Sequence, residues 1–518
     1  MTAQVSDPVT SPRAARSRGA LLRSNSIASA IRAGSTSLTT ILLPILLVVA
    51  LPETTYAVWA LVASIAAFTL YFDLGAQASV LALVGKADAE GDELGAVSAG
   101  RAGVRVATGV GVVATVVGAG VGLVLGVLFP SIPRDQLLPA AATLVLLFAG
   151  QGLSLVGSAF AAYFGGRQRT ASATAVLVPA RFLSLIATCV AAFLGADLVV
   201  LGLAFVAPLL GGVVVLARRF AREARDVPQV PGVKGTTVQR LLRFSGTLMF
   251  WNLCMLVVSG VDVAVVGRLD FAHVALYSVA STIAVGIAGL DNALLAPLLP
   301  EMSGRIRLGE VRRAGELLGF ATRINAIFLF GSFVAVGALA PVLSALLLPS
   351  SDPRTVAAVM LALAGANCLR LTMAPLSLAF IAGGTHTRLI VQPVLEALAN
   401  LGASIALGMM LGALGVALGT IVGAVVGLIA AVTWSLRVSG EGIISAGVLL
   451  LQALVVPAAA WAPALVALVV VGTSPLSTNM TGVAVAVAGI VLSLPGAIWL
   501  LGPTGRKPMR RLLPLRLR

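Results

Sequence analysis

Fourteen stretches of twenty or more mostly apolar residues follow one another along this chain. They fall at roughly 27–50, 55–84, 104–129, 138–164, 172–194, 197–217, 245–267, 274–300, 320–348, 355–382, 389–411, 413–436, 443–470 and 480–501. Each is long enough to cross a bilayer as a helix and too long for a single membrane strand. A backbone in hydrocarbon must satisfy its own hydrogen bonds, which a helix does locally. Composition agrees: 518 residues are 58% hydrophobic and 11% charged, with mean hydropathy +1.03. A water-soluble domain of that size needs far more charged surface. The expected fold is an all-α polytopic membrane protein with about 14 transmembrane helices.

The basic residues orient it. With the N-terminus inside, 29 of the 35 Lys and Arg residues fall on the cytoplasmic side and three, Arg134, Arg268 and Arg354, on the outer side. Three more, Arg32, Arg181 and Arg370, lie within spans. This asymmetry places both termini in the cytoplasm and accounts for the +15 charge without a nucleic-acid partner. The longest internal connection, Ala217–Arg243, is basic and carries Pro228, Pro231 and Gly232, so it reads as a linker. The domain reading is therefore a disordered tail (1–24), helices 1–6 (25–217), a linker (218–243), helices 7–12 (244–436), helices 13–14 (437–501) and a basic tail (502–518). The outer connections are short, which disfavours a membrane polymerase or glycosyltransferase.

The two halves share a pattern. Asp73 interrupts one apolar run and is followed 18 positions later by Gly91; Asp291 interrupts another and is followed at the same spacing by Gly309. Each glycine precedes an acid, Asp92 or Glu310. Such duplicated halves recur among membrane transporters. The three cysteines (Cys189, Cys254, Cys368) stand singly in apolar runs, and the two histidines (His273, His386) lie in predicted loops. No disulfide framework or metal site is expected from them, and no cofactor. There is no phosphate-binding loop, so ATP-driven transport by this chain alone is not expected.

The stretch LPETTYAVWALVASIAAFTLYFDLGAQASVLALVGKADAEGD (51–92), together with Phe250–Gly267 and LYSVAS (276–281), resembles the polysaccharide and lipid-linked oligosaccharide flippases of the multidrug/oligosaccharidyl-lipid/polysaccharide exporter superfamily. The likeness covers roughly residues 25–436. It implies two six-helix lobes around a central cavity that opens alternately to each side, with two further C-terminal helices. It also implies a prenyl-pyrophosphate-linked glycan as cargo, flipped outward across a bacterial plasma membrane, with membrane lipids and cell-envelope glycan assembly proteins as partners. A drug or small-cation antiporter of the same superfamily is the nearest alternative, and a non-transporting scaffold a further one.

Ionisable residues inside spans are the candidate sites, because each must face protein or a wet cavity. Arg181 and Arg370 offer positive charge to a pyrophosphate, or pair with a buried carboxylate such as Glu396 or Asp73. Arg32 recruits the same group at the inner mouth, or snorkels to the inner headgroups. Gln392, Glu396 and Asn400 repeat at i, i+4, i+8 and share one helix face, expected to line the cavity. Asp73, Asp262 and Asp291 are the candidates for ion coupling, set against simple helix–helix hydrogen bonding.

Overall fold

A computed structural model describes residues 12–69, 76–225, 227, 253–258, 260–383, 390–435, 444–472 and 480–501. Asp73, His386, the linker beyond Val227 and the basic tail from Gly502 lie outside them. Every regular element among the described residues is helical, as expected. The chain forms two compact units. The first comprises residues up to Thr39, Ala66–Val124 and Leu138–Phe250; the second comprises Thr40–Ile65, Leu125–Leu137 and Trp251 onward.

The first unit contains most of α1 (Pro12–Ala50), then α3 (Ala76–Ala89), α4 (Glu93–Leu123), α5 (Arg134–Gly166), α6 (Thr170–Phe193) and α7 (Leu198–Glu223). Helix α1 begins at Pro12, within the stretch read as a tail. The core of the unit gathers Val80, Val84, Tyr163, Phe164, Leu216 and Phe220, with Phe220 edge-on to Tyr163 at 4.7 Å.

The second unit contains most of α2 (Glu53–Ala67), followed by α8 (Asp262–Leu269), α9 (Val274–Leu295), α10 (Leu298–Arg307), α11 (Val311–Leu347), α12 (Pro353–Leu371), α13 (Ala374–Ala382) and α14 (Val391–Ala430). At its end α15 (Ala446–Ala460) and α16 (Ala462–Gly472) meet at a 66° bend. Helix α17 (Met480–Leu501) closes the described chain. The α15–α16 bend is pinned to α11 by Trp461, whose indole N–H donates to the Ile327 carbonyl at 2.9 Å.

Among the described residues ten helices are long and apolar enough to cross a membrane, or eleven if the bent pair is one span. The expected fourteen map onto these with two differences. Spans 55–84 and 245–267 are interrupted by undescribed residues. Spans 389–411 and 413–436 are the two arms of α14, which part at Gly412 (φ 60°, ψ −139°), the residue between those two spans. Only glycine enters that conformation cheaply. Asp270 receives the N–H of Ala413 at 2.9 Å, capping the second arm as it starts.

The internal repeat has a structural counterpart. Gly91 ends α3 and Gly309 ends α10, both at φ 71°. In each case the next N–H reaches back five residues: Asp92 to the Ala87 carbonyl (2.8 Å), and Glu310 to that of Arg305 (3.0 Å). This is the left-handed glycine cap that satisfies the last carbonyls of a helix.

Candidate functional site

In the first unit two cationic side chains share one locality. Arg181 stands about 17 Å along α6 from its start. Its Nη1 donates to the Thr36 hydroxyl of α1. That hydroxyl in turn donates to the carbonyl of Arg32, one turn earlier, at 2.9 Å. Thr36 thus links Arg181 to the turn of α1 that carries Arg32. Both arginines are partly buried. Among the described residues neither makes an ion pair with a carboxylate. Thr36 carries no signal in the sequence. It enters only because helix periodicity puts it on the Arg32 face and α6 brings Arg181 against it.

In the second unit the candidates gather on α8, α9, α12 and the folded α14. Asp262 opens α8 and is 7% exposed. It receives the Thr420 hydroxyl of α14 at 3.0 Å and the Tyr277 hydroxyl of α9 at 3.3 Å. Arg370 sits one residue before the end of α12, where the span breaks between Leu371 and Ala374. Its Nη2 donates to Asn367 Oδ1 at 2.6 Å, while Asn367 Nδ2 donates to the Ala284 carbonyl of α9 at 2.7 Å.

The polar stripe Gln392, Glu396 and Asn400 is buried and faces the second arm of α14. Glycines at 419, 423 and 427 come opposite Ser404, Asn400 and Glu396. A Cβ at Gly423 would stand 2.6 Å from the Asn400 Cβ, and one at Gly427 2.5 Å from Glu396 Oε2. The glycines thus let the two arms close directly over the stripe. Glu396 Oε1 and both side-chain polar atoms of Asn400 have no hydrogen-bond partner. Asp291 is fully buried on α9 with neither oxygen bonded.

Two further clusters lie outside the sequence reading. Arg323, counted there with the inner-side charges, is 4% exposed on α11 with its guanidinium over the Phe320 ring at 5.4 Å. Helix α11 starts at Val311, nine residues before the span boundary drawn at 320, which puts Arg323 twelve residues into the helix. At the α5–α6 turn, Arg167 approaches Asp88 (3.3 Å), Glu93 (3.5 Å) and Glu223 (3.8 Å) and donates to the Tyr163 hydroxyl at 3.1 Å. One side chain thereby ties the ends of α3, α4, α5 and α7. The sequence does carry a signal for the turn. Gly165-Gly166 recurs as Gly383-Gly384 after 218 residues, the same offset that separates Asp73 from Asp291, but Thr385 stands where Arg167 does.

No family model and no curated protein matches the sequence. The fold itself is that of transporters of the MOP superfamily, the superfamily to which the resemblance in residues 51–92 points. An inward-facing multidrug resistance MATE family transporter of that superfamily aligns with TM-score 0.62 at 16% identity, over 78% of this chain and 95% of its own. The lipid II flippase MurJ, in an inward closed conformation, aligns with TM-score 0.67 at 14% identity, over 94% of this chain and 99% of its own. A MATE protein in the straight conformation aligns at TM-score 0.53 and 16% identity, over 82% and 96%.

Proposed function

We propose that this chain is a flippase, carrying a lipid-linked oligosaccharide or polysaccharide precursor across the cytoplasmic membrane of a bacterium by alternating access. The observation that carries the reading is the Arg32–Arg181 pair. Two positive charges in apolar helices, with no carboxylate paired to either, cost free energy unless an anion visits them. A pyrophosphate fits: two guanidinium forks offer it more donors than one phosphate or carboxylate can use. Such an anion joins the sugar to the prenyl chain in the expected cargo. The likeness in fold to a lipid II flippase over nearly the whole of both chains is consistent with cargo of this class.

In this reading Arg32 and Arg181 bind the pyrophosphate. Asp262 is the coupling residue: a buried carboxylate held by the Tyr277 and Thr420 hydroxyls, with a carboxylate's remaining valence for a proton or a small cation. Gln392, Glu396 and Asn400 line the arm that moves with it. A second reading, a drug or small-cation antiporter, is favoured by a separate observation: the buried carboxylates Asp262, Asp291 and Glu396 are all in the second unit, where a cationic cargo would find them.

The test is reconstitution in liposomes with a fluorescent prenyl-pyrophosphate-linked sugar. The wild type moves it; Arg32→Ala and Arg181→Ala each slow it at least tenfold. Unchanged flipping in both variants retires the cationic pair. No flipping by the wild type, alongside gradient-driven export of a cationic dye, replaces the flippase with the antiporter.

A further inference from the structure

The flippase reading leaves one buried acid without a partner. Asp291 has a relative exposure of 0%, and neither carboxylate oxygen has a hydrogen-bond partner. It lies 14 residues along α9 from Tyr277, about 21 Å, so it is separate from the Asp262 cluster.

Among the described residues, the elements packed on α9 offer it no hydrogen bond. On the α8 side these are Asp262, Arg268 and, in the following turn, His273; on α11 they are Arg312, Arg313, Glu316 and Arg323. On α12 they are Arg354, Cys368 and Arg370. From the α1–α2 segment come Glu53 and Tyr56, the latter meeting Ser278 near the start of α9 at 3.4 Å. None of them bonds either oxygen of Asp291.

An ionised carboxylate enclosed in this way would lose its hydration with no compensating contact, a far larger cost than keeping a proton. A metal ion does not resolve it. Among the described residues no group of three or more His, Cys, Asp or Glu side chains gathers around any point, and a bare cation there would meet a single carboxyl instead of the six or more oxygens that hard cations take.

We infer that Asp291 is a proton-binding site, occupied by a proton in this conformation and emptied when the transport cycle brings it to water. The step is the addition of one proton to one carboxylate oxygen and its later release, with no other reactant. As a bound proton that must leave before the conformation can be revisited, it ties turnover to the proton gradient. That last consequence rests on the transporter reading; the proton itself does not.

Two measurements separate these claims. In difference infrared spectra of the purified full chain at neutral pH, the wild type shows a protonated carboxylic acid C=O band, and Asp291→Asn loses part of it. A band unchanged in Asp291→Asn overturns the proposal, whatever the protein transports. In proteoliposomes loaded with the same prenyl-linked probe, an inside-to-outside pH gradient accelerates wild-type flipping, and Asp291→Asn flips at the gradient-free rate under either condition. Equal acceleration of both proteins overturns the coupling role. A wild type that flips nothing counts against the flippase reading alone, because the infrared band decides the proton site without cargo.

Discussion

Replacing Arg167 with alanine tests whether one side chain holds the ends of the first unit together. Two of its contacts are hydrogen bonds, to Asp88 Oδ1 at 3.3 Å and to the Tyr163 hydroxyl at 3.1 Å. Glu93 at 3.5 Å and Glu223 at 3.8 Å are charge neighbours. The Arg167 side chain is 21% exposed, Asp88 35% and Glu93 64%. The Glu93 pair therefore sits at the low end for ion pairs, about 0–1 kcal/mol. The more enclosed bonds to Asp88 and Tyr163 lie nearer the range for charged partners, about 1.5 kcal/mol each before screening. Glu223 is not stranded by the change, because Arg169 reaches its other oxygen at 2.5 Å. The sum is a loss of about 2–3 kcal/mol, which for a unit of this size lowers the melting temperature by about 5–10 °C. Arg167→Lys keeps the charge but not the fork, and recovers about half of that loss. The sign with pH is fixed. The guanidinium is held above the usual arginine range, first by its bond to the Tyr163 hydroxyl. Its contribution is therefore fully present below the unfolded value and constant through the working range. A thermal-shift assay on the purified full chain at one scan rate reads all three proteins. An Arg167→Ala melting temperature equal to wild type, at both pH 6 and pH 8, would refute the reasoning.

Three other outcomes follow from the same geometry. Gly423→Leu drives a side chain into Asn400, where even a Cβ would stand 2.6 Å from the Asn400 Cβ. It splays the two arms of α14 at a cost of about 1–3 kcal/mol, read as a lower melting temperature. Asp352→Ala removes the cap that accepts the Thr355 N–H at 2.9 Å at the start of α12. That carboxyl lies below its ordinary range, chiefly through this bond. The stability it gives is present at neutral pH and lost as pH falls through the depressed value, so wild type and variant converge in melting temperature in acid. Tyr277→Phe strips one donor from Asp262 (3.3 Å) while keeping the ring. Ion-dependent flipping should weaken severalfold with the fold intact by circular dichroism, and an unaltered ion dependence would remove Tyr277 from the coupling site.

Much of the helical layout was readable because bilayer thickness sets helix length and the chain's apolar runs obey it. Even the break at Gly412 fell between two spans drawn at 411 and 413. The repeat was readable from Asp73/Gly91 and Asp291/Gly309, since a left-handed cap tolerates little except glycine and so leaves a fixed mark. Contacts made across the fold left no such mark. Thr36 is one small polar residue among many, and only the approach of α6 makes it the partner of Arg181. Arg323 was counted with the inner-side charges because it stands three residues inside the span drawn from 320, and its burial comes from packing that hydropathy does not report. The stripe at Gln392, Glu396 and Asn400 was found by its period, but its neighbour was not. The period reports which face is polar, while the glycines at 419, 423 and 427 decide what that face meets.

The two units differ in charge character in a way that neither fold nor repeat requires. Asp73 aside, the described spans of the first unit hold Arg32 and Arg181 with no carboxylate bonded to either. The spans of the second hold Asp262, Asp291 and Glu396, all buried, together with Arg323 and Arg370. Duplication supplies two copies of a scaffold, and helices of the same length and hydropathy are stable with or without these charges. Intramembrane charges cost free energy in either copy, so their segregation is better explained by use than by folding. An anionic headgroup needs fixed cations that stay charged throughout the cycle, which arginine alone guarantees. Coupling needs groups that change charge within the cycle, which carboxylates do and arginine does not. An exchange experiment follows directly. Arg181→Glu should abolish flipping of the anionic probe, while the infrared carboxylic acid band of Asp291 persists. If the band vanishes together with flipping, the two functions are not divided between the copies and the argument fails.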